Sequence, residues 1–590
     1  NHTAAHLGGK WISPKPGTDA ALAQAICHVW LTEGLYDKTF VAERTTGFDE
    51  WRAYILGETD GVAKTPEWQA QETGVPARDV RALAREWGTK KTYLGAGGWG
   101  VGLGGAGRSP MGAQWARMMT ILGAMQGYGR PGSNFGNLQF GAPLDFNFYF
   151  PGYGEGSFSG ELMTSANSAN NYQRMPHIVT MSSVRQAIPR MWFPEAITQG
   201  KAMGYLTDVA SIQGQFFPFG YPSPGHVRVE MLYKYGSSSI GTQVASNRWI
   251  KAYQHESLKF VVNQSVWWEG ETVFADVILP ACTVFERWDI GEWYNVGAGY
   301  VHHMYSMNNH RVIALQHKAI EPLGESKSDY DIFLAIAEKL DLGSVYSEGG
   351  TSEYDWCKRV FDSSDLSKRT TWREFLKKGY YVVPPDPEAA RAPTANRWFY
   401  EGRKKDTPEP YPLPSEYVAG LGKGLQTPSG KFEFVATTLK RIDDPDRPPL
   451  NKYMPVYEDK TREPELAEFP LQLLSPHSRY PFHLMGDDEG CSLRDIREHR
   501  VFKDGHYYLV ARINRQDAEA RGIKDDDLIR LWNNRGSVVC AAQLTDRLRP
   551  GVVSASTASA EYRPAGEPGR STDLGGCINT LNPSKAIARK

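Results

Sequence analysis

The stretch Phe274-Ala275-Asp276-Val277-Ile278-Leu279-Pro280 reads as a buried strand that ends at a proline, because a short apolar run closed by a residue with no N–H fits a sheet better than a helix. Two runs of the same kind precede it, Val229 to Tyr233 and Leu258 to Gln264, and an amphipathic segment, Ser326 to Leu340, follows as a helix. Between them Glu286-Arg287-Trp288-Asp289 reads most simply as an ion pair after the strand. Alternation of this sort makes the chain α/β. Upstream, Asp19 to Leu31 has helical spacing behind Pro16-Gly17-Thr18-Asp19, where Thr18 or Asp19 can cap the helix. A second helix is expected from Arg78 to Trp87, a short strand at Thr92-Tyr93-Leu94, a glycine run from Gly95 to Gly107, and a helix from Met111 to Met125 stopped by Gly127-Tyr128-Gly129-Arg130-Pro131-Gly132. From Ser133 to Pro224 periodicity is lost, which marks functional loops, and the Pro-rich stretch Pro384 to Pro414 reads as a surface excursion or linker. Beyond Leu466 the pattern turns to strands: Pro470 to Leu474, Tyr507 to Ile513, Leu528 to Trp532, Ser537 to Leu544 and Gly551 to Ser556. The expected domains are residues 1–225, 226–465 and 466–590, the last a small barrel.

The 590 residues carry a formal net charge of −1, 23% charged and 41% apolar residues, which excludes wholesale disorder and gives no electrostatic footprint for nucleic acid. No apolar run reaches the roughly 18 residues needed to span a bilayer. Six cysteines, Cys27, Cys282, Cys357, Cys491, Cys540 and Cys577, are scattered without a C-x-x-C pair, so neither an iron–sulfur cluster nor a disulfide framework is expected and a reducing, cytoplasmic compartment is the default. The chain opens at Asn1-His2-Thr3 and is read as part of a longer polypeptide whose own start could hold an export signal.

Several motifs carry chemistry. The glycine run contains G-x-G-x-x-G at Gly95-Gly97-Gly100 and again at Gly100-Gly102-Gly105, but nothing acidic follows before Asp145 to hold a nicotinamide ribose. A carboxylate at the Asp19 turn can be a helix cap or can accept both N–H donors of a guanine edge. Ser475-Pro476-His477-Ser478-Arg479 and His483 gather donors behind a strand end. Tyr153, in Phe150-Pro151-Gly152-Tyr153-Gly154, is either a packed ring or a general acid. His302, His303 and His310 lack ligand spacing and are rejected as a metal site.

The order of these signals, from Pro16-Gly17-Thr18-Asp19 through the glycine loop, Asn263-Gln264, Glu271-Thr272 and Ala275-Asp276-Val277-Ile278-Leu279-Pro280 to Asn534-Arg535-Gly536, resembles the molybdopterin oxidoreductases of the DMSO reductase superfamily. Phe148-Tyr149-Phe150-Pro151-Gly152-Tyr153, Phe285-Glu286-Arg287-Trp288-Asp289-Ile290 and Gly575-Gly576-Cys577-Ile578-Asn579 are most similar to the large subunits of its pyrogallol–phloroglucinol transhydroxylase branch. The resemblance implies Rossmann-like α/β domains around a bis-molybdopterin guanine dinucleotide, closed by a six-stranded, double-psi-like C-terminal β-barrel. It implies molybdenum, with tungsten as the alternative metal, and an iron–sulfur small subunit as partner. Gly17, Thr18 and Asp19 would sit at one guanine. Lys234, Tyr235, Gly236, Gln264, Ser265, Glu271 and Thr272 would line the other nucleotide, and Ser475, His477, Arg479, His483, Asn534 and Asn579 would cover the pterins. Tyr153 would be the acid/base beside the hydroxyls of a small phenolic substrate, and Tyr300 part of the aromatic pocket. The implied reaction moves a hydroxyl between polyhydroxylated benzenes without net redox change, as in anaerobic phenol metabolism. The family's serine ligand to the metal and its catalytic histidine and aspartate belong to an N-terminal portion not present here, so no metal ligand is assigned to this chain. A one-residue insertion near Val296-Gly297, where the family has a pocket cysteine, leaves a phenol hydroxylase or catechol dehydroxylase as the alternative. From a different class, an aromatic-rich binding protein without metal is the second alternative, and a nicotinamide dehydrogenase the third.

Overall fold

The computed structural model describes residues 6–95, 111–130, 132, 186, 188, 190–206, 217–236, 238–292, 312–382, 384, 397–402, 425, 427–441, 443–458, 464–481, 487, 490–557 and 561–584. The first body is helical. Asp19–Glu33 forms its central helix and ends at Gly34, whose φ of 71° is the left-handed cap that glycine supplies without a Cβ clash. Helices Phe48–Ile55, Pro66–Thr73, Ala77–Thr89 and Gly112–Met125 surround it and bury Trp30, Trp51, Val80, Ala84 and Met118. The Trp30 indole donates to the Ala84 carbonyl at 2.7 Å and meets Trp87 edge-on at 5.2 Å, so the polar end of a buried ring is satisfied.

Four expectations are corrected in and around this body. Thr18 occupies the cap position but donates its hydroxyl back to the Lys15 carbonyl at 2.7 Å, so it does not cap the helix with its side chain. Thr92-Tyr93-Leu94 does not form a strand; of the three only Leu94 makes a lone bridge. The Pro-rich stretch is not wholly a surface excursion. Helix Arg397–Glu401 brings Phe399, 5% exposed, and Tyr400 onto Phe40 in the helical core. The helix expected from Ser326 begins at Asp329, because the Ser328 hydroxyl accepts from the Asp331 N–H and fixes the start.

The sheet anticipated around residue 277 is parallel, with Phe260–Ser265 between Met231–Tyr235 and Val277–Pro280. Only its central strand is buried. Met231, Val277 and Ile278 on the flanking strands are more than a third exposed, contrary to the expectation of three buried strands, because each flanking strand is an edge among the described residues. Helix Ser246–Tyr253 covers one face through Trp249 and Ile250, and helix Asp329–Lys339 the other through Phe333.

An antiparallel sheet of Asp289–Glu292, Val312–Gln316 and Tyr380–Val382 packs with helices Glu353–Ser363 and Trp372–Lys378 around Phe361 and Phe375. The C-terminal unit is a curled sheet of six strands. Its order is Gln472–Leu474, Val552–Ala555, His506–Asn514, Gly536–Thr545 and Leu528–Asn533, with Arg500–Lys503 paired on His506–Asn514. All five sequence-predicted strands are present; Arg500–Lys503 is the sixth.

Candidate functional site

Parallel strands direct ligands to their carboxyl ends. Here those ends carry Lys234, Tyr235, Gln264 and Ser265, and period-two alternation sends them to opposite faces. On the face under helix Ser246–Tyr253, the Lys234 ammonium lies 3.2 Å from Glu271 Oε1 and 3.9 Å from Glu269 Oε2, and donates to the Gly236 carbonyl. Glu271 also accepts the Ser239 N–H at 2.5 Å and the Ser238 hydroxyl. Thr272 Oγ1 accepts the Glu269 N–H at 3.0 Å. Lys234, Glu271 and Thr272 are all buried and satisfied by one another's neighbourhoods, so they shape the loops at the strand ends.

The opposite face lies under helix Asp329–Lys339. Tyr233 donates to Gln264 Oε1, and Gln264 Nε2 donates to Asp329 Oδ1 at 2.8 Å, so the Gln264 amide is tied at both ends. Phe333 lies beside both Tyr233 and Tyr235, with centroids 5.7 and 5.6 Å away. Tyr235 is 56% exposed, yet crowding by protein and then the nearby Asp329 carboxylate push its phenol up to about 12. Arg287 pairs with Asp289 at 2.8 Å close by, as the ion-pair reading of that stretch expected. Ser265 Oγ accepts the Trp267 N–H at 3.2 Å, which spends its hydroxyl on the turn.

The remaining candidates come from the C-terminal sheet and the helical body. Asn582 donates to Ser475 Oγ at 2.9 Å and to Asn579 Oδ1 at 2.8 Å, while Asn579 Nδ2 donates to the Gly241 carbonyl at 2.8 Å. His477 is exposed and bridges Thr557, Arg479 is exposed with its guanidinium 5.6 Å over the Tyr480 ring, and Asn534 is exposed at a hairpin tip. On the other side, the Gln472 amide reaches the Pro16 carbonyl at 3.4 Å. Gly17 has φ +78° and runs so close to Val456 that a Cβ would meet its Cγ1 at 2.3 Å. Asp19 is solvent-accessible, and desolvation by its surroundings raises its carboxyl pKa. The Pro16 turn, strand Gln472–Leu474, Ser475, Asn582, Asn579, the segment 239–241 and Glu271 therefore form one connected path of backbone and hydrogen bonds.

Tyr153, Tyr300, His483, the glycine run after Gly95, His302, His303, His310 and Val296-Gly297 lie outside the described residues. Among the described residues, no group of three or more His, Cys, Asp or Glu is placed to hold a metal, and all six cysteines are free. Sequence reasoning missed Asp329, Asn582 and Asp573. Asp573 had a local signal, since it stands two residues before Gly575-Gly576; Asp329 had none, being 65 residues from the Gln264 it holds.

The molybdopterin oxidoreductase family model matches residues 5–339, and the molybdopterin dinucleotide binding domain matches residues 472–588. This chain belongs to the molybdopterin oxidoreductase family. The pyrogallol hydroxytransferase large subunit of Pelobacter acidigallici is 48% identical over 604 residues, covering 100% of this chain and 68% of that protein. The dimethyl sulfoxide/trimethylamine N-oxide reductase of Rhodobacter capsulatus is 28% identical over 559 residues, covering 93% of this chain and 59% of that one. The chain thus spans about three fifths to two thirds of these relatives' length. Acetylene hydratase from Pelobacter acetylenicus shares the fold, with a TM-score of 0.60 at 17% identity over 96% of this chain and 67% of that one. The family's members are enzymes, and the matched domains make the cofactor a molybdopterin dinucleotide. No described helix is long and apolar enough to cross a membrane.

Proposed function

We propose that this chain is the cofactor-bearing large subunit of a molybdenum enzyme that transfers a hydroxyl between polyhydroxylated aromatic rings, of the pyrogallol-to-phloroglucinol type. One observation carries the reading: identity is 48% over the whole of this chain with a pyrogallol hydroxytransferase large subunit, against 28% with a sulfoxide and N-oxide reductase.

The residues present fit two guanine dinucleotides. Asp19 offers an exposed carboxylate that no other described side chain engages, the acceptor pair that a guanine edge needs. Gly17 permits the tight approach of that turn, and Thr18 fixes it through Lys15. Tyr235, Gln264 and Ser265 would line the second nucleotide, while Lys234, Gly236, Glu271 and Thr272 would hold the loops that receive it. Ser475, His477, Arg479, His483, Asn534 and Asn579 would surround the pterins. Bound there, the metal–dithiolene group supplies the two-electron chemistry that lets a hydroxyl leave one ring and enter another without net oxidation. Tyr153 would give or take the proton at a substrate hydroxyl, and Tyr300 would pack against the ring. The domains would be residues 1–225, 226–465 and 466–590. Molybdenum, with tungsten as the alternative, would take its protein ligand from outside the described residues. An iron–sulfur small subunit would accept this large subunit, in the cytoplasm.

The test is anaerobic purification of the full-length protein with its partner, followed by metal and pterin analysis and assay of 1,2,3-trihydroxybenzene for conversion to the 1,3,5-isomer. Molybdenum or tungsten with pterin and isomer formation is expected, and Tyr153→Phe should cost about 10²–10⁴-fold in turnover with cofactor retained. Absence of both metals overturns the reading.

A further inference from the structure

Asp573 is 1% exposed and bridges Val538 and Pro564 in the C-terminal unit. Its own backbone is locked to strand Gly536–Thr545: the Val539 N–H donates to its carbonyl at 2.8 Å, and its N–H donates to the Ser537 carbonyl at 2.9 Å. Its carboxylate receives four backbone N–H groups. Oδ1 accepts from Arg563 at 2.8 Å and Gly575 at 3.1 Å; Oδ2 accepts from Gly576 at 2.9 Å and Cys577 at 2.6 Å. Among the described residues no Lys, Arg or His side chain pairs with it; the fully buried Arg500 pairs with Asp487 at 2.7 Å and donates to the Gly575 carbonyl at 3.1 Å, so it meets the loop and not the carboxylate. Successive N–H groups curled around one anion form a nest, which fixes the backbone that supplies them.

That backbone runs directly into the junction. The Cys577 thiol lies 3.3 Å from both the Ile240 carbonyl and Ser246 Oγ. Asn579 Nδ2 donates to the Gly241 carbonyl at 2.8 Å, and the Ala245 N–H donates to the Asn579 carbonyl at 2.8 Å. The same 238–246 segment offers Ser238 and Ser239 to Glu271 at the strand ends. A carboxylate anchored on one sheet therefore determines where the residues that grip the other sheet are placed.

We propose that Asp573 is a positioning residue of the cofactor cleft, whose carboxylate folds the 575–577 backbone so that Cys577 and Asn579 clamp the 239–246 segment against the C-terminal sheet. Only the identity of the cleft's ligand rests on the reading above; the clamp itself does not. Asparagine at 573 keeps the shape but presents an NH2 to two N–H donors, so half of the nest loses its acceptor.

The test is hydrogen exchange by mass spectrometry on the full chain. Asp573→Asn should speed exchange about tenfold in peptides covering 575–577 and 239–246 while strand 536–545 keeps its protection, the order expected when one net hydrogen bond is lost at a local opening. Pterin should be released faster on dilution in the same variant. Unchanged exchange at 239–246, or uniform loss that includes 536–545, overturns the proposal. Should Asp573→Asn fail to accumulate, Asn579→Ala carries the test: faster exchange at 239–246 with 575–577 still protected supports the clamp, and unchanged 239–246 refutes it. Failure of the functional reading would show instead as absent pterin with these exchange patterns intact.

Discussion

Two buried aspartates of the C-terminal unit meet the loss of water in opposite ways. Asp487 is held by side chains: Arg500 Nε at 2.7 Å and His499 Nε2 at 2.8 Å, with Arg500 itself fully buried. Burial alone would raise its pKa, but Arg500 and then His499 outweigh it and hold the carboxyl well below the usual carboxylate range. Asp573 is held by backbone N–H groups alone, and there burial wins, pushing the carboxyl up to about 6 despite four donors. A cation neutralises; a nest of N–H groups only solvates. The first arrangement locks side chains to one another and, through Arg500, to the Tyr507 and Gly575 carbonyls; the second folds the backbone of a loop that reaches across to another sheet.

The hardest test of that contrast removes Asp487. Asp487→Ala leaves the Arg500 guanidinium buried without its counter-charge and should cost about 3–5 kcal/mol, read as a lower urea midpoint for the C-terminal unit. A loss near that of an ordinary surface substitution would show that Arg500 finds water or another anion.

Acid titration separates the two residues by sign. Asp487 has a depressed folded pKa, so its contribution is present above the unfolded value near 3.9 and is lost as the pH falls toward its folded pKa. Asp573 has a raised folded pKa, so the folded chain binds its proton more tightly than the unfolded chain. That contribution is full below about 3.9 and is lost as the pH rises through about 6. Among the described residues, Arg500, Cys540, Cys577 and Tyr562 are the charged or titratable groups that feel it, and none of the three acids among them ionises in this window. Stability measured from pH 4 to 6 should fall more steeply in the wild type than in Asp573→Asn. Parallel slopes would break the comparison.

A smaller effect isolates the loop from the carboxylate. Gly576 has φ +94°, and a Cβ there would meet Leu509 Cβ at 2.7 Å. Gly576→Ala adds a strained backbone and a clash with a core side chain while leaving all four donors in place. It should cost about 1–3 kcal/mol in unfolding midpoint. A neutral result would mean that the loop tolerates a shift, and that the nest does not hold its path as tightly as the distances suggest.

How much of this was legible in the sequence depended on range. Helix Asp19–Glu33 and the C-terminal strands follow from local apolar spacing and from turn residues such as Gly34 and Asn533 to Gly536. The ion pair of Arg287 with Asp289 is two residues long and was equally readable. By contrast, the pairing of Lys234 with Glu271 depends on strand register and a crossover, and the contact between Gln264 and Asp329 on which helix covers the sheet. Neither leaves a trace in residue type. Phe399 and Tyr400 were misread for the same reason: proline-rich composition announces a linker, while docking on Phe40 is decided some 360 residues away. Asp573 shows the limit most clearly, since four backbone donors have no sequence signature beyond the glycines that make their curl feasible.

The least effect is expected where the same pairing chemistry lies in water. Arg497 meets Asp526 at 2.7 Å, a distance equal to that between Arg500 and Asp487, yet its side chain is 68% exposed. Solvent screens the attraction, and ordering two long side chains offsets what remains. Arg497→Ala should therefore leave the unfolding midpoint of the C-terminal unit unchanged within error, and added salt should not distinguish it from wild type. If it instead approached the loss expected for Asp487→Ala, distance rather than desolvation would govern these pairs, and the contrast drawn between the two buried aspartates would lose its physical basis.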